Sequence, residues 1–203
     1  MKYNLYVEDI SVEAVFNRLG GQEGAKGILS GERIVVPRND PRAAGVVLQF
    51  ERNVSVASRW FAVSESFTRS NSKVKFGYID EKLVKLFGKS QEDVPAAEIA
   101  VNTLLLSKHD PEIMVALGPQ SQSRRFIKLG QFYQLIEAQG HGQEGPLLVN
   151  GYANIAYILD ENGAPWAVRA LWRPVFGDWI VDVVSVADLF EWSAGCQVLS
   201  QVG

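Results

Sequence analysis

The chain has 203 residues, 47% hydrophobic and 21% charged, with a formal net charge of −3. This is long enough to bury roughly 70% of its unfolded surface in one large or two small domains, so neither disulfides nor metals are needed for stability. The mildly acidic balance argues against a strongly basic nucleic-acid binder, and the single cysteine, Cys196, rules out an internal disulfide and suits a reducing compartment.

Glu8 and Asp9 arrive before any apolar segment builds up, so no secretory signal is expected. No apolar run approaches the ~18 residues of a membrane span. The expected location is the cytoplasm. In chain order, Ser11 caps a first helix over 12–19, with Val12, Val15, Phe16 and Leu19 on one stripe and Gly20 as its stop. A second helix over 22–29 carries Gly24 and Gly27 and needs packing to hold it. Strands are expected at 33–36 and 46–50. Segment 53–67 fits strand and helix about equally: Val54 and Val56 alternate, while Trp60, Phe61, Ser64 and Phe67 follow a helical period. The polar stretch 68–73 is the expected boundary, giving regions 1–72 and 73–203, with one single domain as the alternative.

Beyond it, a strand is expected at 74–78, followed by a helix over 81–87 capped by Asp80 and stopped at Gly88, with Leu83, Leu86 and Phe87 buried. Residues 98–106 alternate as a strand. Asp110-Pro111-Glu112 reads as an N-cap acid, a proline at N1 and a first-turn acid, opening a helix that ends at Gly118. A longer helix is expected over 123–138, with Phe126, Leu129, Phe132, Tyr133 and Ile136 on one face. Asn162-Gly163 is a type I′ hairpin dipeptide. A two-residue turn there sets Leu159 opposite Trp166, Tyr157 opposite Val168 and Ile155 opposite Ala170. In the next hairpin, Trp172 is set opposite Trp179 and Arg169 opposite Asp182. Both registers gather bulky apolar residues on one face, and a further short strand is expected at 197–200.

The fold class expected from this reading is α+β: N-terminal helices and short strands, a helical middle and a C-terminal antiparallel β-meander rich in Trp. With these elements placed, the chain resembles a family of uncharacterised bacterial proteins of about 200 residues. The stretches that carry the resemblance are Phe16-Asn17-Arg18-Leu19-Gly20-Gly21-Gln22-Glu23-Gly24, Phe76-Gly77-Tyr78-Ile79, residues 145–157 and residues 192–200. The resemblance implies no activity.

Several groups invite a chemical reading, each beside a plainer one. Ser193-Ala194-Gly195-Cys196 is similar to the Ser-x-Gly-Cys signature of L,D-transpeptidases, whose thiolate needs a nearby base. The nearest upstream histidine is the distant His141, and Gln197 follows the thiol, so a small half-buried residue at a strand start explains the stretch better. Residues 20–27 suggest a phosphate loop, but Ala25 and Gly27 replace the required glycine and Ser/Thr, and a tight turn between helices suffices. As a helix-turn-helix the same region offers only Lys26 on a short, glycine-rich helix, and residues 1–59 hold eight Lys/Arg against seven Asp/Glu. Arg124, Arg125 and Lys128 form a cationic helical face that would meet an acidic partner or RNA, with a simply solvated face as the commoner explanation. His109, His141 and Cys196 are too widely spaced for a metal-ligand pattern, and no carboxylate pair can be assigned. Four of the five tryptophans lie between 166 and 192. Trp166 and Trp172 are expected in the core, whereas Trp179 and Trp192 are candidates for an exposed surface.

The resulting functional expectation is a non-enzymatic binding or interaction protein of regulatory type. Its interaction surface would draw on Trp179, Trp192, Arg124, Arg125 and Lys128. No cofactor or metal is expected, a protein partner is allowed for, and nucleic acid is disfavoured. The alternatives are a cofactor-independent enzyme with carboxylate-based or Cys196-based chemistry and, third, a DNA-binding N-terminal module.

Overall fold

The computed structural model describes residues 45–88, 91–118, 122–188 and 190–202. The chain divides into two compact units, Met1–Ala43 and Ala44–Gly203, and the described residues all belong to the second. The expected helices over 12–19 and 22–29, the strand at 33–36, the glycine-rich loop and the DNA-binding module lie outside the described residues. The boundary expected near residue 72 falls within the second unit. There, segment 68–73 is a loop clipped by Asn71, whose Nδ2 donates to the Ser66 carbonyl (2.7 Å) and whose Oδ1 accepts from the Lys73 N–H (2.9 Å).

The strands are β1 (Leu48–Val56), β2 (Arg59–Ala62), β3 (Phe76–Ile79), β4 (Gln91–Val94), β5 (Ala97–Leu104), β6 (Lys108–His109), β7 (Asn154–Leu159), β8 (Pro165–Arg173), β9 (Asp178–Ser185), β10 (Glu191–Trp192) and β11 (Gln197–Gln201). The helices are α1 (Val63–Ser66), α2 (Glu81–Phe87), α3 (Asp110–Ala116), α4 (Gln122–Arg125) and α5 (Leu129–Ala138). Among the described residues strand makes up 41% and helix 20%, which corrects the expected α+β class with its helical middle. The framework is one mixed seven-stranded sheet in the order β1-β5-β11-β7-β8-β9-β3, with the two-stranded ribbons β2-β4 and β6-β10 beside it. The ambiguous segment 53–67 resolves into the end of β1, then β2, then the single turn α1.

The β8–β9 hairpin has the expected register, with Trp172 opposite Trp179, Ala170 opposite Val181 and Arg169 opposite Asp182. The β7–β8 hairpin is shifted by one residue: Leu159 lies opposite Pro165, Ile158 opposite Trp166 and Tyr157 opposite Ala167. The cause is Asp160. Its Oδ1 accepts from the backbone N–H groups of Asn162 and Ala164 (both 2.9 Å), and its own N–H donates to the Ala164 carbonyl (2.9 Å). This Asx closure spans 160–164, so Asn162-Gly163 is not a two-residue turn.

The slip is invisible in the sequence because both faces of this sheet are buried. Ala156, Ile158, Val168, Ala170, Trp172, Trp179, Val181 and Val183 belong to one core. Ile155, Tyr157, Ala167 and Val198 belong to the other. Side-chain alternation fixes register only where one face is wet; with apolar residues on both faces, either register looks satisfied.

Helix α5 covers the first face with Phe132, Tyr133 and Ile136. The Trp179 indole donates to the Gln139 carbonyl just past its C-terminus (2.9 Å). Gly142 follows at φ +76°, and a side chain there would run into the Trp172 ring. On the second face lie Ile113 from α3 and Trp192 from β10. The single helix expected over 123–138 is two, α4 and α5. Between them the chain turns extended: Phe126 bridges to Tyr157, and the Ile127 N–H donates to the Tyr157 carbonyl (3.1 Å). Pairing with the sheet outweighs local helix propensity here. Helix α2 forms as its sequence dictates, with Asp80 accepting from the Lys82 N–H (2.9 Å) and Leu83 and Phe87 buried. Strand β11 sits between β5, to which it is antiparallel, and β7, to which it is parallel. Among the described residues no helix is long and apolar enough to cross a membrane.

Candidate functional site

Where β7 leaves the sheet, its last residues face the link between α4 and α5 across a concavity of about 450 Å3. Its apolar floor comes from Phe87 at the end of α2, Phe126 and Ile127 of the link, Leu129 at the start of α5, and Ile158 and Leu159 of β7. Charged groups line it as well: Glu92 of β4, Lys128, and Asp160 and Glu161 of the β7–β8 turn. The volume is within the range of small-molecule sites, about 300–1,000 Å3, and an apolar lining with a few polar groups is their usual chemistry.

Three of these four charges are held by a local cause. Lys128 is the N-cap of α5; its backbone N–H donates to the Gln131 side chain (2.8 Å), and its ammonium reaches the Glu92 carboxylate (3.2 Å). The Ala164 N–H, aided by the Trp166 indole (3.1 Å) and the Asn162 N–H, holds the Asp160 carboxyl below the usual carboxylate range. Its negative charge is therefore fixed across neutral pH. Leu159 is 42% exposed, which leaves the cavity open on that side.

Lys128 is the one expected interaction residue that lines this cavity. Arg124 is exposed, and Arg125 turns back, donating from Nε and a terminal nitrogen to the Gly118 carbonyl (3.1 and 2.9 Å). Trp179 and Trp192 are 0% and 2% exposed, so neither forms a surface. Trp179 is buried under α5, and Trp192 donates its indole N–H to Asp110 (2.7 Å). Sequence reasoning misses the remaining lining residues. Asp160 and Glu161 read as ordinary turn acids, and nothing in linear spacing links Glu92 or Phe87 to them.

Cys196 is 5% exposed at the bottom of a smaller depression of about 250 Å3 that also involves Tyr152, Arg169, Phe190 and Glu191. Burial pushes its thiol up, away from the thiolate a nucleophile requires. Neither histidine lines this depression. His109 is turned toward the Phe190 carbonyl (Nδ1 to O, 3.2 Å), and His141 follows α5. Among the described residues, therefore, no histidine stands beside Cys196 to serve as its base. No group of three or more His, Cys, Asp or Glu among the described residues could hold a metal ion.

A third concavity, about 360 Å3, is polar and built around Glu137. Burial pushes this carboxyl up, but hydrogen bonds from Arg59 and Lys73 outweigh it and hold the group below its ordinary range. The Tyr133 hydroxyl, which accepts from Asn71 (2.7 Å), completes the network. Its two cations are already matched to one carboxylate, and the arrangement ties β2 and the 68–73 loop to α5.

Among the described residues the most buried carboxyl is Asp110. The sequence reads it as an N-cap, but His109 occupies that position, and Asp110 is the first residue of α3 and faces inward, 0% exposed. Its Oδ1 accepts from the Tyr157 hydroxyl and the Trp192 indole, both at 2.7 Å, and its Oδ2 has no partner among the described residues. Burial raises its pKa against the opposing effect of those two hydrogen bonds. Full enclosure makes it an internal tie between α3, β7 and β10, out of reach of a substrate.

Comparisons of the chain with protein-family models, curated proteins and solved structures return no match. The fold and site therefore rest on their own geometry.

Proposed function

We propose that the chain is a non-enzymatic binding protein of regulatory type whose ligand is a small molecule with an apolar body, held between the end of β7 and the α4–α5 link. The carrying observation is the 450 Å3 concavity with six apolar residues on its floor and charged residues from three separate segments. Apolar enclosure supplies affinity at roughly 25 cal/mol per Å2 of surface buried, and polar groups at the edge supply orientation. A fully buried carboxyl at Asp110 and a raised thiol at Cys196 favour binding over catalysis. The same reading puts the protein in a cytoplasm, where a lone thiol stays reduced, and extends to it the family resemblance carried by residues 145–157 and 192–200.

The test is a titration with a neutral arylalkyl alcohol, 3-phenylpropanol, followed by amide NMR shifts. Shifts are expected at residues 126–129 and 158–161. Leu159→Arg, at a half-exposed position, is expected to fill the cavity and abolish them while leaving the remaining spectrum unchanged. Shifts centred elsewhere, or unaffected by Leu159→Arg, would refute the proposed site.

A further inference from the structure

Resting on that binding site, we infer that its ligand class is an organic cation: an amine, or a similar positive group, carried on an apolar body. Among the described residues, the charged lining comprises three carboxylates, Glu92, Asp160 and Glu161, against one ammonium, Lys128. Lys128 is already matched by Glu92 at 3.2 Å. Asp160 and Glu161 are adjacent, at the end of β7, and among the described lining residues no basic side chain balances them. Asp160 cannot swing away, because two backbone N–H groups and the Trp166 indole hold its carboxylate.

A ligand lying on Phe126, Ile158 and Leu159 brings its polar end beside this unbalanced pair. Beside low-dielectric walls, two negative charges with no cation next to them among the described residues favour a cation and repel an anion more strongly than they would in bulk water. An anionic ligand would have to take Lys128 from Glu92 and leave a third carboxylate unmatched. A cation requires no such exchange.

The experiment uses three ligands with one apolar body: 3-phenylpropylamine, 3-phenylpropanol and 3-phenylpropanoate. The amine is expected to bind about tenfold tighter than the alcohol, and the carboxylate more weakly than either, with the differences shrinking as salt is raised. Two surface variants must then move amine affinity in opposite directions. Lys128→Met removes the positive charge of the described lining and is expected to tighten amine binding about threefold. Glu161→Gln is expected to weaken it by a similar factor. The ratio of amine to alcohol affinity is the readout: it is expected to rise in Lys128→Met and fall in Glu161→Gln, and retained alcohol binding in each reports that the cavity is intact. Equal affinities, or a carboxylate that binds best, would overturn the cation inference and leave the binding site standing. If the alcohol fails to bind at all, the site itself falls.

Discussion

Asp110→Leu is expected to destabilise the fold by about 3 kcal/mol, because it leaves both the Tyr157 hydroxyl and the Trp192 indole N–H buried with no acceptor. Removing a buried, partly unpartnered carboxyl offsets some of that loss, so the figure lies below the sum of two orphaned donors. Asp110→Asn keeps an oxygen where Oδ1 stands and should cost less. The two variants separate the hydrogen bonds from the charge.

The charge has its own signature. The folded-state pKa of Asp110 is raised by burial, so folding favours the protonated form. Its contribution is fullest below the ordinary carboxylate value, about 3.9, and is lost as pH climbs through the raised folded value. Asp110→Asn, which does not titrate, should therefore improve relative to the native chain as pH rises above about 4. Urea unfolding at several pH values measures both effects. A gap that widens in favour of the native chain as pH rises would contradict the assignment.

Trp179→Ala is expected to be costlier, about 4 kcal/mol, through cavity formation under α5. The ring is fully buried, packs edge-on against Trp172 with centroids 5.5 Å apart, and donates to the Gln139 carbonyl. Trp179→Phe retains most of the packing, loses the hydrogen bond and should cost about half as much. The readout is a lower denaturation midpoint with an unchanged slope. A loss below about 1 kcal/mol for the alanine variant would mean that the indole is not enclosed as described.

These two residues show how far the sequence can be read. The aromatic meander is legible because Trp172 and Trp179 flank a tight turn and a bidentate Arg169–Asp182 pair lies on the reverse face. Helix α2 is legible because Asp80, Leu83, Phe87 and Gly88 each act locally. The preceding hairpin is misplaced by one residue, since a sheet buried on both faces carries no polar side to mark its register. The long helix is broken by a partner strand far away in sequence, which no local propensity reveals. Strand β1 is only partly visible, because most of its residues are exposed and polar. The candidate site is the least legible part. Its walls come from α2, β4, the α4–α5 link and the β7–β8 turn, and only the folded sheet brings Glu92, Lys128 and Asp160 together.

Strand β11 follows all the other described strands in sequence yet stands between β5 and β7. The β1–β5 pair and the β7–β8–β9 meander can each zip up on their own, but they have no common edge until this segment is supplied. Synthesis on a ribosome would therefore leave two half-sheets with unsatisfied flanks waiting for the same missing piece. Pairings this distant in sequence slow folding, and waiting edges recruit neighbours. Crowded nascent chains would then be at greatest risk of exchanging β11 with one another, the route by which such proteins entangle before they mature.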